Sequence, residues 1–229
     1  MKADCTGSQR EIILGYGIKN ANSVLDVGCG NGEKTFYIAQ NVQWLVGIDP
    51  DKKIIQEAKN KYNSSNLVFQ VAQAESLCFS NASFVSVLFN ESLHHVAVDK
   101  QIEALRETHR VLEPGGRLLI TEPICDSGSF GQILKFCNDE KEQKLNAINA
   151  IDSVINSEFK LSLKKEIHIE YHCKDFDDLY ENTIKSMPYV NWNESNKQDI
   201  TNILKRCDKT PEGDSIIDYF AFVWLLIKI

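Results

Sequence analysis

No two cysteines in this chain stand at C-x-x-C spacing, and the seven present (5, 29, 78, 125, 137, 173 and 207) are odd in number. That pattern argues against a disulfide framework and against a cysteine zinc site, and it suits the reduced thiols of a cytoplasm. Long apolar runs are missing too. The longest, Phe220–Ile227, falls well short of the roughly 20 residues a membrane helix needs. Basic residues are outnumbered, 25 Lys and Arg against 32 Asp and Glu. A sequence-independent grip on nucleic acid needs basic surface to displace counterions, so no nucleic-acid partner is expected. No N-terminal segment shows the charged, apolar and small-residue order of a signal peptide, which again points to the cytoplasm. Repeats and low-complexity tracts are lacking. What remains, 43% hydrophobic and 25% charged residues over 229 positions, suits one globular domain with a generous core.

The most informative stretch is Val24-Leu25-Asp26-Val27-Gly28-Cys29-Gly30-Asn31-Gly32, an apolar strand running into three glycines at alternate positions. Glycines so spaced let the backbone turn tightly and approach a ligand closely. Asp26 precedes them and Glu33 follows, so two carboxylates frame the loop. A phosphate site wants the opposite, because helix N-termini and backbone N–H groups attract anions. A dinucleotide fingerprint would need glycine at position 33, where the chain has Glu33. A P-loop would need Gly-Lys-Thr where Glu33-Lys34-Thr35 stands. The favoured guest is a nucleoside-like molecule with positive charge and no phosphate, and S-adenosylmethionine fits that description. Cys29 inside the loop reads either as a reactive thiol or as a small residue suited to a crowded turn.

Short apolar strands alternate with helical patterns through the first half. Strands are expected at Val24–Val27, Trp44–Asp49, Asn66–Val71, Phe84–Phe89 and Arg117–Thr121, with Pro114-Gly115-Gly116 as a turn. Helices are expected at 8–19, Glu33–Asn41, Lys52–Tyr62 and Ile102–Leu112. The alternation predicts an α/β fold, a parallel sheet with helices on both faces. Ligands of such sheets bind at the carboxyl ends of the strands, where the glycine loop lies.

Beyond Pro123 the pattern changes. Residues 126–160 read as helical and polar, Leu163–Cys173 as an alternating strand, 175–187 and 195–206 as helices. Tyr219–Ile229 reads as a strand buried on both faces. On the 163–173 strand, Lys164, Glu166, His168, Glu170 and His172 share one side. Residues four apart on a strand are roughly 13 Å apart, too far for His168 and His172 to share a metal. That side reads as a solvated face that discourages edge pairing.

Val24–Gly32 resembles the first motif of the class I S-adenosylmethionine-dependent methyltransferases. The resemblance continues through Gly47-Ile48-Asp49-Pro50, Gln73-Ala74-Glu75, Asn90-Glu91-Ser92-Leu93-His94-His95, Leu105-Arg106-Glu107 and Val111–Leu118. It covers about residues 22–123 and is strongest for the small-molecule branch that includes the ubiquinone and menaquinone biosynthesis enzymes. The resemblance implies a Rossmann-like, seven-stranded, mostly parallel sheet ending in an antiparallel strand pair, with helical lid insertions. The expected layout is a single domain over 1–229: an N-terminal helix (1–20), a cofactor-binding core (21–125), helical lid segments (126–160 and 174–215) and C-terminal strands (161–173 and 216–229).

The family pattern also implies roles. Gly28, Gly30 and Gly32, with Cys29, would lie against the cofactor, and Asp26 would serve the methionine ammonium. Asp49 could accept from both ribose hydroxyls; alternatively it caps the next helix with Pro50 at the first helical position. The Gln73-Ala74-Glu75 loop would face adenine. Gln73 stands where relatives usually carry an acid, and its amide oxygen can accept the same bond without charge. Glu75 is a second acceptor. Val85 replaces a usual Asp. The backbone of Asn90 and Glu91 would touch the methionine part. His94 or His95 could act as a general base, or serve only to pack the turn.

These readings converge on a methyltransferase that passes a methyl group from S-adenosylmethionine, leaving S-adenosylhomocysteine, to a small-molecule acceptor by in-line displacement. Methylation of a protein or RNA, or a module that binds the cofactor without turnover, are the alternatives. Phe130, Phe136, Phe176, Tyr180, Tyr189 and Trp192 in the expected lid hint at an apolar or aromatic acceptor. No metal is expected, and the oligomeric state is left open.

Overall fold

The computed structural model describes residues 13–137, 140–186 and 193–229. Its strands are β1 (Val24–Val27), β2 (Leu45–Asp49), β3 (Leu67–Val71), β4 (Phe84–Asn90), β5 (Leu112–Pro123), β6 (Phe159–Cys173) and β7 (Ser215–Lys228). They form one seven-stranded sheet in the order β3-β2-β1-β4-β5-β7-β6. The β2–β1, β2–β3, β1–β4 and β4–β5 pairs are parallel, and the C-terminal strands add an antiparallel pair. The helices are α1 (Glu33–Ala39), α2 (Lys52–Lys61), α3 (Gln101–Val111), α4 (Gly128–Cys137), α5 (Lys141–Val154), α6 (Phe176–Asn182) and α7 (Glu194–Arg206). Among the described residues, no helix is long and apolar enough to cross a membrane.

The chain divides into two compact units. Among the described residues the larger holds 13–122, 142–165 and 222–229, and the smaller holds 123–137, 140–141, 166–186 and 193–221. In the larger unit, register explains both faces of the sheet. Leu25 lies beside Val46 and Val87, and Val27 beside Ile48 and Phe89. These rows share one core with Ala104, Leu105 and Val111 of α3 and Ala147, Ala150, Ile151 and Val154 of α5. The opposite face carries Asp26 beside Gly47, which lies beside Phe69. Phe69 packs there with Ile55 and Ala58, the buried side of α2. Asp51 caps α2 by accepting from the backbone N–H groups of Lys53 and Ile54.

Several expectations shift in detail. The N-terminal helix is, within the described residues, a single wide turn at Leu14–Ile18, broken at Gly17 with φ 93°. Pro114, Gly115 and Gly116 lie within β5 as a bulge, because Leu112 pairs with Phe84 while Arg117 pairs with Ser86. β6 starts at Phe159, several residues before the expected strand. β7 begins at Ser215 and alternates buried with half-buried residues over most of its length. A strand buried equally on both faces is therefore not what forms; every second side chain keeps some solvent. The segment 126–160 also divides, with α4 in the smaller unit and most of α5 built into the core of the larger.

Candidate functional site

β1 through β5 run parallel, so Val27, Asp49, Val71, Asn90 and Thr121 bring their strands out on one edge. The glycine loop leaves that edge bent over the end of β2, where the N–H groups of Gly28 and Cys29 both donate to the Ile48 carbonyl, at 2.8 and 2.9 Å. All three glycines have positive φ, but for different neighbours. A Cβ on Gly28 would lie 2.5 Å from Ser92 Cβ, and one on Gly32 2.6 Å from Phe69 and 2.9 Å from Ala58. Only Gly30 faces open space. A side chain at Gly28 or Gly32 would thus collide with the protein itself, while Gly30 has open space beside it.

The Gly30 N–H donates to Asp49 Oδ2 at 3.1 Å. The other carboxylate oxygen of Asp49 accepts from the Asp51 N–H at 2.9 Å. Asp51, not Asp49, is the helix cap, so the capping role considered for Asp49 falls to its neighbour, and the exposed Pro50 precedes that cap. A phosphate seeking the Gly30 amide would meet a carboxylate already bound there.

Asp26 lies buried on the same face as α1, where Thr35 Oγ1 donates to it at 2.7 Å. Burial pushes its carboxyl up to about 6; the Thr35 hydrogen bond and the Lys34 charge oppose that rise, and Asp49 adds to it. Burial, with Asp26 and Asp49 nearby, also drives the Cys29 thiol far above its ordinary value. Cys29 therefore stays a neutral thiol and behaves as a small packing residue.

Ala74 enters the main core and anchors its loop, leaving Gln73 exposed and Glu75 half-buried. Arg110 braces the next turns, donating to the carbonyls of Leu77 and Phe79, while Glu107 accepts from the Leu77 N–H. Beyond β4, Glu91 adopts φ 56°, a conformation uncommon for residues other than glycine. Its N–H donates to the Thr121 carbonyl at 2.9 Å, and its carboxylate lies 3.5 Å from Lys34 Nζ. Asn90 Oδ1 accepts from Thr121 Oγ1 at 2.9 Å.

The two histidines part company in the following turn. His95 is exposed, while His94 is buried with Nδ1 2.5 Å from Glu122 Oε2. The His94 backbone N–H also donates to Glu122, at 3.3 Å. Glu122 is fully buried. One carboxyl group thus faces both the ring Nδ1 and the backbone N–H of His94, which orients the imidazole. Motif reading missed Glu122. Its one signal was position: it follows the apolar run Leu118-Leu119-Ile120 at a strand's carboxyl end. Of the expected lid aromatics, Phe130 and Phe176 are buried, Tyr180 is half-buried against Phe176, and Phe136 is exposed. Tyr189 and Trp192 lie outside the described residues.

Residues 25–120 match the family model described as a methyltransferase domain. Over 108 residues the chain is 34% identical to the 27-O-demethylrifamycin SV methyltransferase of Amycolatopsis mediterranei, covering 45% of this chain and 39% of that protein. It is 33% identical over 121 residues to the ubiquinone/menaquinone biosynthesis C-methyltransferase of Geobacter sp. strain M21, covering 50% and 51% respectively. The chain thus spans about half or less of the length of these relatives. Among solved structures, the YcgJ protein of Bacillus subtilis superposes with a TM-score of 0.63 at 19% identity, covering 96% of this chain and 97% of that one. That likeness extends the shared fold over nearly the whole chain.

Proposed function

We propose, from the match of residues 25–120 to the methyltransferase-domain family model, that the chain transfers a methyl group from S-adenosylmethionine to a small-molecule acceptor. The observation that carries this reading is the Asp49 carboxylate accepting from the Gly30 amide, with the buried Asp26 close enough to feel its charge. That arrangement repels phosphate and favours a cation. The residues fit the cofactor in their donor chemistry: Asp49 for the ribose hydroxyls, Gln73 and Glu75 for the adenine amino group, Asp26 for the ammonium. Cys29 and Ala74 add packing beside it, and the Asn90–Glu91 backbone would border the methionine part. Charge-assisted bonds of the Asp49 kind are worth roughly 1.5–3 kcal/mol each.

When bound, the sulfonium supplies an activated methyl group with a good leaving group. The protein's task is then alignment, which can lower such a barrier by roughly 7–11 kcal/mol. For a hydroxyl or carbon acid, His94 Nε2 would take the proton, with Glu122 stabilising the imidazolium. His95, exposed, is the second candidate for that role. The relatives named for rifamycin and quinone biosynthesis support a small-molecule acceptor.

Calorimetry with S-adenosylhomocysteine tests the reading. Binding is expected, with Asp49→Ala weakening it at least tenfold. Capture of NAD or ATP, with S-adenosylhomocysteine ignored at millimolar concentration, overturns it. Turnover of His94→Ala and His95→Ala with a saturating acceptor separates the two bases, and undiminished rates in both would leave positioning as the whole of catalysis.

A further inference from the structure

The smaller unit holds a cluster of ligating side chains of its own. His168 and Glu170 stand two residues apart on β6 and so share a face. Asp218 joins them from β7, the neighbouring strand. His168 Nε2 lies 2.6 Å from Asp218 Oδ1. One ligating atom from each of the three residues falls within 4.8 Å of the others, and all three are half-buried. By sequence alone this strip reads as a solvated face, with His168 and His172 too far apart to share a metal. The partner that changes the reading is Asp218, fifty positions from His168.

Two of the three groups are aimed by contacts that are not ligands. The Phe220 ring lies parallel to the His168 imidazole, 4.4 Å away with 8° between planes. The Asp218 N–H donates to Ser129 Oγ at 2.8 Å. The Asp218 carbonyl oxygen sits only 2.3 Å from where a Cβ on Gly128 would stand, and Gly128 has φ 67°. The backbone carrying Asp218 is thus pressed onto a position that only glycine fits.

We propose that His168 Nε2, Glu170 and Asp218 bind a divalent first-row transition ion of the zinc type, with water completing its coordination. One imidazole nitrogen and two carboxylate oxygens match such an ion. Magnesium prefers oxygen ligands alone, and copper(I) prefers sulfur. Donors held about 2.0–2.2 Å from one ion lie up to roughly 4.4 Å apart, so small side-chain rotations complete the site. Bound there, the ion ties the edge strand β6 to β7 and neutralises two converging carboxylates. The site is independent of the methyl-transfer reading.

The test uses the full chain, stripped with chelator, titrated with Zn2+ by calorimetry and with Co2+ in the visible range. One equivalent should bind, His168→Gln and Asp218→Asn should each raise Kd at least tenfold, and the melting temperature should rise with metal only where binding survives. Co2+ should show the weak bands of nitrogen and oxygen ligands. Glu170→Gln, on the edge strand, is the companion variant should either of the others fail to fold. Three results overturn the proposal: no binding by the wild type at millimolar metal, unchanged affinity in the variants, or a Co2+ spectrum dominated by thiolate charge transfer, which would place the ion on cysteines.

Discussion

Two histidine–carboxylate pairs with nearly the same geometry sit in very different surroundings. His94 and Glu122 approach to 2.5 Å with side chains 3% and 0% exposed; His168 and Asp218 approach to 2.6 Å with side chains 27% and 43% exposed. Distance alone would rank them equal. Water separates them, because solvent can replace a lost partner at the second pair and cannot reach the first. The buried pair is thus suited to orienting an imidazole, the half-exposed pair to receiving an ion from solution.

The largest effect expected from breaking this comparison is at Glu122. Glu122→Ala should destabilise the protein by roughly 2–6 kcal/mol, since it removes the acceptor of the His94 backbone N–H and the partner of its Nδ1, at roughly 1–3 kcal/mol each. Asp218→Ala should cost only about 0–1 kcal/mol in metal-free protein. Chemical denaturation of both variants decides it, and equal losses would mean that the surroundings do not control the two pairs.

The glycine loop repeats the contrast between packed and open positions on a smaller scale. Gly32→Ala should cost about 3 kcal/mol, from left-handed strain and collision with Phe69 and Ala58. Gly30→Ala should cost about 1 kcal/mol, yet weaken S-adenosylhomocysteine binding more than its stability loss suggests. Melting curves and calorimetry on the two proteins would separate packing from ligand approach.

Asp26 provides a smaller effect with a definite sign. Its carboxyl is raised from 3.8 to about 6 in the folded protein, so ionisation opposes folding above that pH. The opposition fades as pH falls from about 6 to about 3.8. Asp26→Asn should therefore be more stable than the wild type at pH 8, by roughly 2–3 kcal/mol, with the advantage gone near pH 4. The same variant should bind S-adenosylhomocysteine less tightly, because the ammonium loses its carboxylate. Wild-type affinity should likewise fall as pH drops through about 6. A variant no more stable at pH 8 would show that Asp26 is not strained by its burial.

Much of the larger unit could be read in advance. Strand periodicity placed β1 to β4 within a residue or two of their positions, and the spacing of glycines and carboxylates located the candidate ligand edge. Within that edge, residue type was a poorer guide than neighbourhood. Gly28 and Gly32 look like ligand-facing glycines, and Ser92 and Phe69, remote in sequence, leave no room for a side chain at either. Asp49 was the cap considered from sequence, and the direction of two N–H groups assigned the role to Asp51 instead. Residues 141–154 looked polar enough for a lid, yet Ala147, Ala150, Ile151 and Val154 form a buried stripe that enters the core.

Local order along the chain thus carried the strands, the glycine loop and the acidic character of its flanks, because periodicity and backbone freedom act over a few residues. Pairings between distant segments lay beyond its reach: Glu122 under His94, Asp218 beside His168, Phe69 against Gly32. Each arises where sheet register and packing set side by side groups that no spacing in the sequence relates. Whether such a meeting is dry or wet then governs its chemistry.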